Sequence, residues 1–274
     1  MIQKSAQTVR KRRAKADPEL AEAIGSGKVV GAVVGAIKIL RFLAKTREPM
    51  GVSRIAKETD LNTSTTFNTL RTLMLYDFVQ FDRLSKTYVL SLGLMEIAYS
   101  ATAIAGDFGV IRPAMERIAQ EHGVTVTLWQ PVRADRKVLI MSAQPHNAIR
   151  IQMAVGQRLP LLVGATGRLF AAFSALSDTE VRRQFDAIRW DQSLSFAEFR
   201  KQIEEARELG WALDDGNFAQ GTVLVSTPVL DRNGHAAMAV TANMFAGQYN
   251  PARAEGIVRD LKAFSKQAAR ILPL

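Results

Sequence analysis

Apolar residues recur at Val33, Ala36, Ile37, Leu40 and Leu43, a spacing of three and four that predicts one packed face of a helix. The turn residues Glu48-Pro49-Met50-Gly51 end it. Ser53 is placed to cap a short second helix through Ile55, Ala56 and Lys57 to Thr59. After the turn Asp60-Leu61-Asn62, a third helix is predicted from Thr63 to Leu75, with two unlike faces. Phe67, Leu70 and Met74 form an apolar stripe suited to packing. Ser64, Asn68 and Arg71 form a polar stripe, beside a first turn crowded with Thr63, Ser64 and Thr65. Two β-prone runs, Asp77 to Phe81 and Thr87 to Leu90, flank the polar turn Asp82 to Lys86 and predict a hairpin.

Beyond the hairpin, the alanine-rich stretch Ala98 to Gly109 continues as a helix, and another amphipathic helix starts at Arg112 with Pro113 in its first turn. Alternation predicts strands over Val124 to Gln130, Lys137 to Ser142 and Arg150 to Val155, followed by a helix from Gly164 to Leu176. Ser177-x-x-Glu180 and Ser195-x-x-Glu198 read as capping boxes that open two more helices, the second stopped by Gly210. Strands over Trp211 to Asp214, Thr222 to Val229 and His235 to Asn243 come next, and a helix from Pro251 to Ile271 follows them. Hairpin-like strands with flanking helices imply an α+β architecture around a largely antiparallel sheet.

Composition narrows the chemistry. A chain of 274 residues allows two modest domains, and its 47% hydrophobic content argues against a wholly disordered chain. With no cysteine, disulfide scaffolds, thiolate zinc sites, iron–sulfur clusters and cysteine nucleophiles are excluded. His122, His146 and His235 are too widely spaced to suggest a histidine cage, so neither metal nor cofactor is expected. The longest apolar run, Val29 to Ile37, stops at Lys38, far short of the roughly 20 residues that span a bilayer. The basic N-terminal residues lack the apolar core of a signal peptide, so no membrane contact and a cytoplasmic location are expected.

Charge is distributed unevenly. The net +10 comes from 36 Lys and Arg against 26 Asp and Glu, and residues 1–95 hold 16 of the former against 8 of the latter. Most of the excess therefore lies in the first third, where it coincides with the two short helices and hairpin. That pattern is a winged helix-turn-helix, a reader of the DNA major groove; the other reading is a small protein-interaction domain. The charge and the hairpin favour DNA. Thr63, Ser64, Thr65, Asn68 and Arg71, with Ser53 on the preceding helix, face the bases and phosphates, and Arg83 and Lys86 at the wing tip face the backbone. The cluster Arg10 to Lys15 is either an arm on phosphates or a minor groove, or a solvated tail. Gly25-Ser26-Gly27-Lys28 lacks the spacing of a phosphate loop, which would need glycine at Glu22 and a hydroxyl at Val29.

The near-neutral remainder carries no nucleophile elbow and no His-Glu-x-x-His helix, so no catalytic residue is assigned. Asp214-Asp215 has neither a third ligand nor a partner nucleophile and reads as an exposed turn, at most one carboxylate facing a pocket. Gly164-Ala165-Thr166-Gly167 opens a helix with small residues, leaving backbone N–H groups free to meet a carboxylate; the alternative is that the glycines serve close packing.

The sequence resembles the IclR family of bacterial transcription regulators. The resemblance rests on Val33-x-x-Ala36-Ile37-x-Ile39-Leu40, Val52-x-x-Ile55-Ala56, Ser64-Thr65, Leu70-x-x-Leu73 and Tyr88-x-Leu90-x-Leu92-Gly93. It continues in Gly156-x-Arg158-Leu159-Pro160-Leu161, Gly164 to Arg168, Gly210 to Asp215, Gly221 and Thr227-Pro228-Val229-x-Asp231. It implies a basic arm over 1–28, a winged helix-turn-helix over 29–95, a linker helix over 96–110 and a GAF/PAS-like α+β effector domain over 111–274. It also implies that Gly164, Ala165, Thr166, Asp214, Leu224, Thr241 and Asn243 line a small-molecule pocket. The chain departs from the family with Asn68 where arginine is frequent, Arg168 where lysine is frequent and Leu224 where cysteine is frequent. The implied partners are a double-stranded operator, a second copy of the chain as homodimer or dimer of dimers, and an organic acid. Leu224, Met238 and Met244 suggest an aromatic or other hydrophobic body for that acid. An enzyme with an accessory DNA-binding domain and a nonspecific architectural DNA binder are the competing readings.

Overall fold

The computed structural model describes residues 29–46, 48–98, 108–146 and 149–274. The expected arm and most of the expected linker helix lie outside these residues. The chain divides into two compact units, Met1–Ser100 and Ala101–Leu274.

In the first unit, α1 (Gly31–Thr46), α2 (Val52–Thr59) and α3 (Thr63–Leu75) precede a hairpin of β1 (Val79–Asp82) and β2 (Thr87–Leu90). Ile39, Leu43, Ile55, Leu70, Leu73, Val79 and Tyr88 form its core. Met50 and Tyr88 exchange backbone hydrogen bonds of 3.0 and 2.8 Å, which tie the α1–α2 loop to the hairpin. The turn into α3 is fixed by Asp60, whose left-handed backbone (φ 54°) caps α2. The helices form where the periodicity puts them, but their buried faces are rotated. In α1 the buried residues are Gly35, Ile39 and Leu43, while Val33 and Ile37 are exposed; Leu61 fills the space beside Gly35. In α3 Thr66, Leu70 and Leu73 are buried and Phe67 is exposed. Ser53 does not cap α2: Gly51 holds that position without a side-chain bond, and Ser53 lies inside the helix.

The second unit is a six-stranded, wholly antiparallel sheet in the order β5-β4-β3-β8-β7-β6. Its strands are β3 (Thr125–Arg133), β4 (Arg136–Ala143), β5 (Arg158–Pro160), β6 (Ala212–Asp215), β7 (Thr222–Leu230) and β8 (Ala236–Phe245). Helices α4 (Phe108–His122) and α8 (Pro251–Ile271) cover one face, packing Ile111, Met115, Leu261 and Phe264 on Val126, Val225 and Val240. Helices α5 (Gly164–Ala172), α6 (Asp178–Asp186) and α7 (Phe196–Leu209) cover the other, where Leu162, Leu169, Phe170 and Phe199 meet Trp129 and Leu139. The Ser177 capping box forms with both halves; at Ser195 the hydroxyl accepts the Glu198 N–H at 3.1 Å. α4 starts four residues before Arg112, so Pro113 lies within it and residues 108–110 belong to its first turn rather than to a linker.

The expected strand over Arg150 to Val155 does not form. Ile151 and Met153 turn inward over the sheet while Val155 is exposed, and the ladder partner of β4 is instead Arg158–Pro160. The alternation is real but belongs to a cover, not to a strand.

α5 is buried along its whole length, and Gly167 permits that: a Cβ there would overlap the backbone of Leu162. Gly167→Ala is expected to lower the unfolding free energy of this unit by more than about 3 kcal/mol, whereas Gly247→Ala, which meets nothing within 4 Å, changes it by less than about 0.5 kcal/mol. Urea unfolding of the two variants measures the difference.

Candidate functional site

The third helix of the first unit presents a polar face. Ser64, Asn68 and Arg71 lie on the exposed arc of α3, opposite the buried Thr66, Leu70 and Leu73, with Thr63 and Thr65 exposed in the first turn. No side chain caps this turn, so its N–H groups are open to a phosphate. Arg71 lies 6.0 Å from the centre of the exposed Phe67 ring, so that ring belongs to the same face. Ser53 is exposed at the start of α2, and the sequence reading passed over its neighbours Arg54 and Lys57, which are exposed on the same helix.

Arg83 and Lys86 are exposed at the tip of the hairpin. Asp82 stiffens that tip by accepting the Leu84 N–H and the Ser85 hydroxyl, each at 2.8 Å, and these bonds hold its carboxyl below the ordinary range. Phe81 and Tyr88 stack across the hairpin at 4.7 Å. The result is a rigid, cation-tipped wing.

The second unit holds a partly open cavity of about 120 Å³ between the sheet and α5. Trp129, Leu159, Thr222, Leu224, Thr241 and Asn243 line its sheet side, Val163 to Thr166 its helix side, and Ile151, Met153, Phe218 and Ala219 its cover. Six of the seven expected pocket residues, Gly164, Ala165, Thr166, Leu224, Thr241 and Asn243, thus face one space. Met238 and Met244 do not: they face α4 and α8 on the far side of the sheet.

Asp214 is the seventh, and it is not a lining residue. It is fully buried on β6 with its carboxylate 2.6 Å from Arg168, so it is neither an exposed turn nor a pocket wall. Arg168 also donates to Gly164 O at 2.8 Å, Asn217 Oδ1 at 2.9 Å and Gln202 Oε1 at 3.0 and 3.1 Å. Its guanidinium lies over Phe199 and Trp190 at 5.2 and 5.8 Å. Burial pulls the guanidinium below its ordinary value and Asp214 opposes that pull. Every donor direction is used, so this arginine ties the first turn of α5 to α7 and β6 and is not available to a ligand.

Lys137 was missed by the sequence reading and is, among the described residues, the one ionisable side chain of the lining. It is 2% exposed, donates from Nζ to Val163 O and Thr166 Oγ1, and lies 5.5 Å from the centre of the Trp129 ring. Burial pushes its ammonium well below the usual lysine value, Arg168 pushes the same way, and Asp214 opposes them. The signal was present in the strand: Lys137, Leu139, Met141 and Ala143 are the buried positions of β4, alternating with less buried ones.

One further cluster, Glu121, His122 and Asp260, brings ligand atoms within 4.8 Å of one another. Arg117 pairs with Glu121 at 3.0 Å, and Asp260 binds both His122 and Arg259 at 2.8 and 3.0 Å. These contacts join α4 to α8 and leave no carboxylate of the cluster without a cation.

Comparison with known proteins gives one family for both units. Residues 108–270 match the sequence model described as the bacterial transcriptional regulator IclR C-terminal domain, and residues 32–83 match the IclR helix-turn-helix domain. The chain is 26% identical over 233 residues to the HTH-type transcriptional repressor AllR of Escherichia coli, covering 84% of this chain and 85% of that protein. It is 23% identical over 229 residues to the transcriptional repressor IclR of the same organism, covering 79% and 80%. Among solved structures, an IclR transcriptional regulator from Alicyclobacillus acidocaldarius superposes with a TM-score of 0.78 at 24% identity, over 89% of this chain and 99% of that one. Pseudomonas aeruginosa HmgR gives 0.68 at 23% identity, over 87% and 99%.

The two buried cations are expected to respond oppositely to replacement. Arg168→Met leaves Asp214 charged and alone, and should destabilise the protein by about 3–5 kcal/mol. Lys137→Met removes a cation that has no anion to neutralise it, and should leave stability at pH 7 unchanged or raised. Because the folded-state value of Lys137 is depressed, the wild type gains stability as pH rises from that value toward the ordinary lysine value of 10.5. The stability difference between Lys137→Met and wild type should therefore shrink over that interval, as urea unfolding across pH will show.

Proposed function

The chain belongs to the IclR family of bacterial transcriptional regulators, and on that premise we propose that it is a repressor whose DNA occupancy is set by a small organic acid in the cavity of its C-terminal domain. The observation that carries the reading is the pairing, in one chain, of an exposed Ser64–Asn68–Arg71 helix face with an apolar cavity holding a buried lysine. The names of AllR and IclR, both repressors, support the sign of the regulation.

On DNA, α3 enters the major groove, where Asn68 pairs with an adenine edge and Arg71 with guanine or phosphate. Thr63, Ser64 and Thr65 bring hydroxyls and backbone N–H groups to phosphate or base edges, while Ser53, Arg54 and Lys57 follow the backbone from α2 and Arg83 and Lys86 follow it from the wing. One such reader spans few base pairs, so the working unit is a homodimer or a dimer of dimers on a two-part operator. The exposed Val33, Val34 and Ile37 of α1 support self-association. An acid that prefers one arrangement of the paired DNA-binding domains shifts the population toward it.

The same reading makes the protein cytoplasmic and not an enzyme. Among the described residues no helix is long and apolar enough to cross a membrane, and the relatives are named as regulators.

The test is binding to operator sequences selected from a random pool, competed with scrambled DNA at fixed salt. The wild type should prefer the selected site by roughly a thousandfold or more. Asn68→Ala should lose about 1–3 kcal/mol on that site and relax the choice of base at one position, while Lys86→Ala weakens all sequences alike and reduces the salt dependence by about one charge. Equal affinity of the wild type for selected and scrambled DNA would instead indicate an architectural binder.

A further inference from the structure

Lys137 lies in surroundings that are unfavourable to a lone cation. It is buried in an apolar cavity, and among the described residues no carboxylate pairs with it. Asp214, the acid whose charge reaches it, is bonded to Arg168 at 2.6 Å. Arg168 itself and the N-terminal end of α5 add positive potential on the same side. An ammonium buried this way is unfavourable until an anion joins it.

The geometry leaves room for one. An ammonium has three donors, and Val163 O and Thr166 Oγ1 take two of them. Gly164, Ala165 and Thr166 form the uncapped first turn of α5, whose N–H groups have no acceptor within the helix. The other side-chain donors of the lining are already engaged, Thr222 with Ala219 O at 2.6 Å and Trp129 Nε1 with Thr127 Oγ1 at 3.0 Å. Asn243 Nδ2 donates to Thr125 O and Thr127 Oγ1, each at 2.9 Å, and Thr241 shares a 2.8 Å bond with Ser226. The remaining walls are apolar. A cavity of about 120 Å³ is close to the size of an engineered apolar cavity of about 150 Å³ that admits benzene.

Building on the reading that this cavity takes an acid, we propose that Lys137 selects it. The ligand is a small monocarboxylate with an apolar body, its carboxylate on Lys137 Nζ and the first-turn N–H groups of α5. A second carboxylate would be buried against Trp129, Leu159 or Leu224 with no cation to meet it, so dicarboxylates are rejected. A neutral molecule of the same shape leaves the ammonium unpaired and gains nothing from it.

Protonation supplies a readout that a purely structural lysine would not give. Burial disfavours the ammonium in the empty cavity and a bound carboxylate favours it, so above the depressed Lys137 value the acid enters with proton uptake. Arg168 on α5 and Asp214 on β6 are the charged groups that face Lys137. Affinity for the acid therefore falls as pH rises above the depressed Lys137 value, by up to tenfold per unit.

The experiment is calorimetric titration of the full-length protein with benzoate, 3-methylbutanoate, their amides, and succinate, on wild type, Lys137→Met and Lys137→Gln. The expected result is binding of one or both monocarboxylates, proton uptake, and an affinity lower by roughly a hundredfold in the variants. The amides should bind wild type and variants alike and weakly, and succinate should not bind. Should Lys137→Met fail to fold, Lys137→Gln and the pH profile of the wild type carry the test. Equal binding of the acids by wild type and variants, or an affinity that does not fall and a proton uptake that does not appear at any pH up to 10.5, overturns the role of Lys137 and leaves the acid reading standing. Tight binding of an amide or of succinate without the monocarboxylates, or no binding by any of these compounds, overturns both.

Discussion

The C-terminal unit depends on a single buried charge arrangement. Arg168 and Asp214, both fully buried, neutralise each other at 2.6 Å, and the other donors of the guanidinium are taken up by Gly164 O, Gln202 and Asn217. That one side chain fixes where α5 begins relative to α7, to β6 and to the turn after it. It also determines what is left over. With Asp214 committed, Lys137, on the cavity side of α5, has no anion of its own. The unit is thus stable in its scaffold and unsatisfied at its cavity, which is the combination a receptor for an anion requires.

The first unit answers a different constraint. Its core is small, so Thr66, Leu70 and Leu73 of α3 are needed inside, and the residues left outside are those free to meet a partner. A tip held by Asp82 and a hairpin tied to Met50 keep the wing from fraying, so its two cations are presented on a fixed frame. A reader of DNA gains specificity from such rigidity, because fewer side chains must be ordered on binding.

Much of this was legible from residues alone, and the failures have physical reasons. The bounds of α3 and α8, Thr63–Leu75 and Pro251–Ile271, were read correctly because each begins with strong stop-and-start chemistry. The phase of burial was not, because spacing of three and four defines a stripe but not which neighbour covers it; hence Phe67, Val33 and Ile37 are exposed. Arg150 to Val155 alternates like a strand, yet alternation serves a cover over a cavity equally well. Asp214 was misassigned because its partner is 46 residues away, beyond any local pattern. Lys137 was overlooked because a lysine in a strand is ordinarily solvated, although its alternation with Leu139 already placed it inside.

Regulation by an acid requires coupling between cavity and operator. A footprint of the full-length protein on the DNA upstream of its own coding sequence, repeated as a short apolar monocarboxylate is titrated at fixed salt, tests that coupling most directly. A discrete protected segment whose occupancy changes as the acid saturates the cavity, and does not change with the corresponding amide, is the predicted result. Protection that is no stronger than on unrelated DNA, or that is indifferent to a saturating acid, would contradict it.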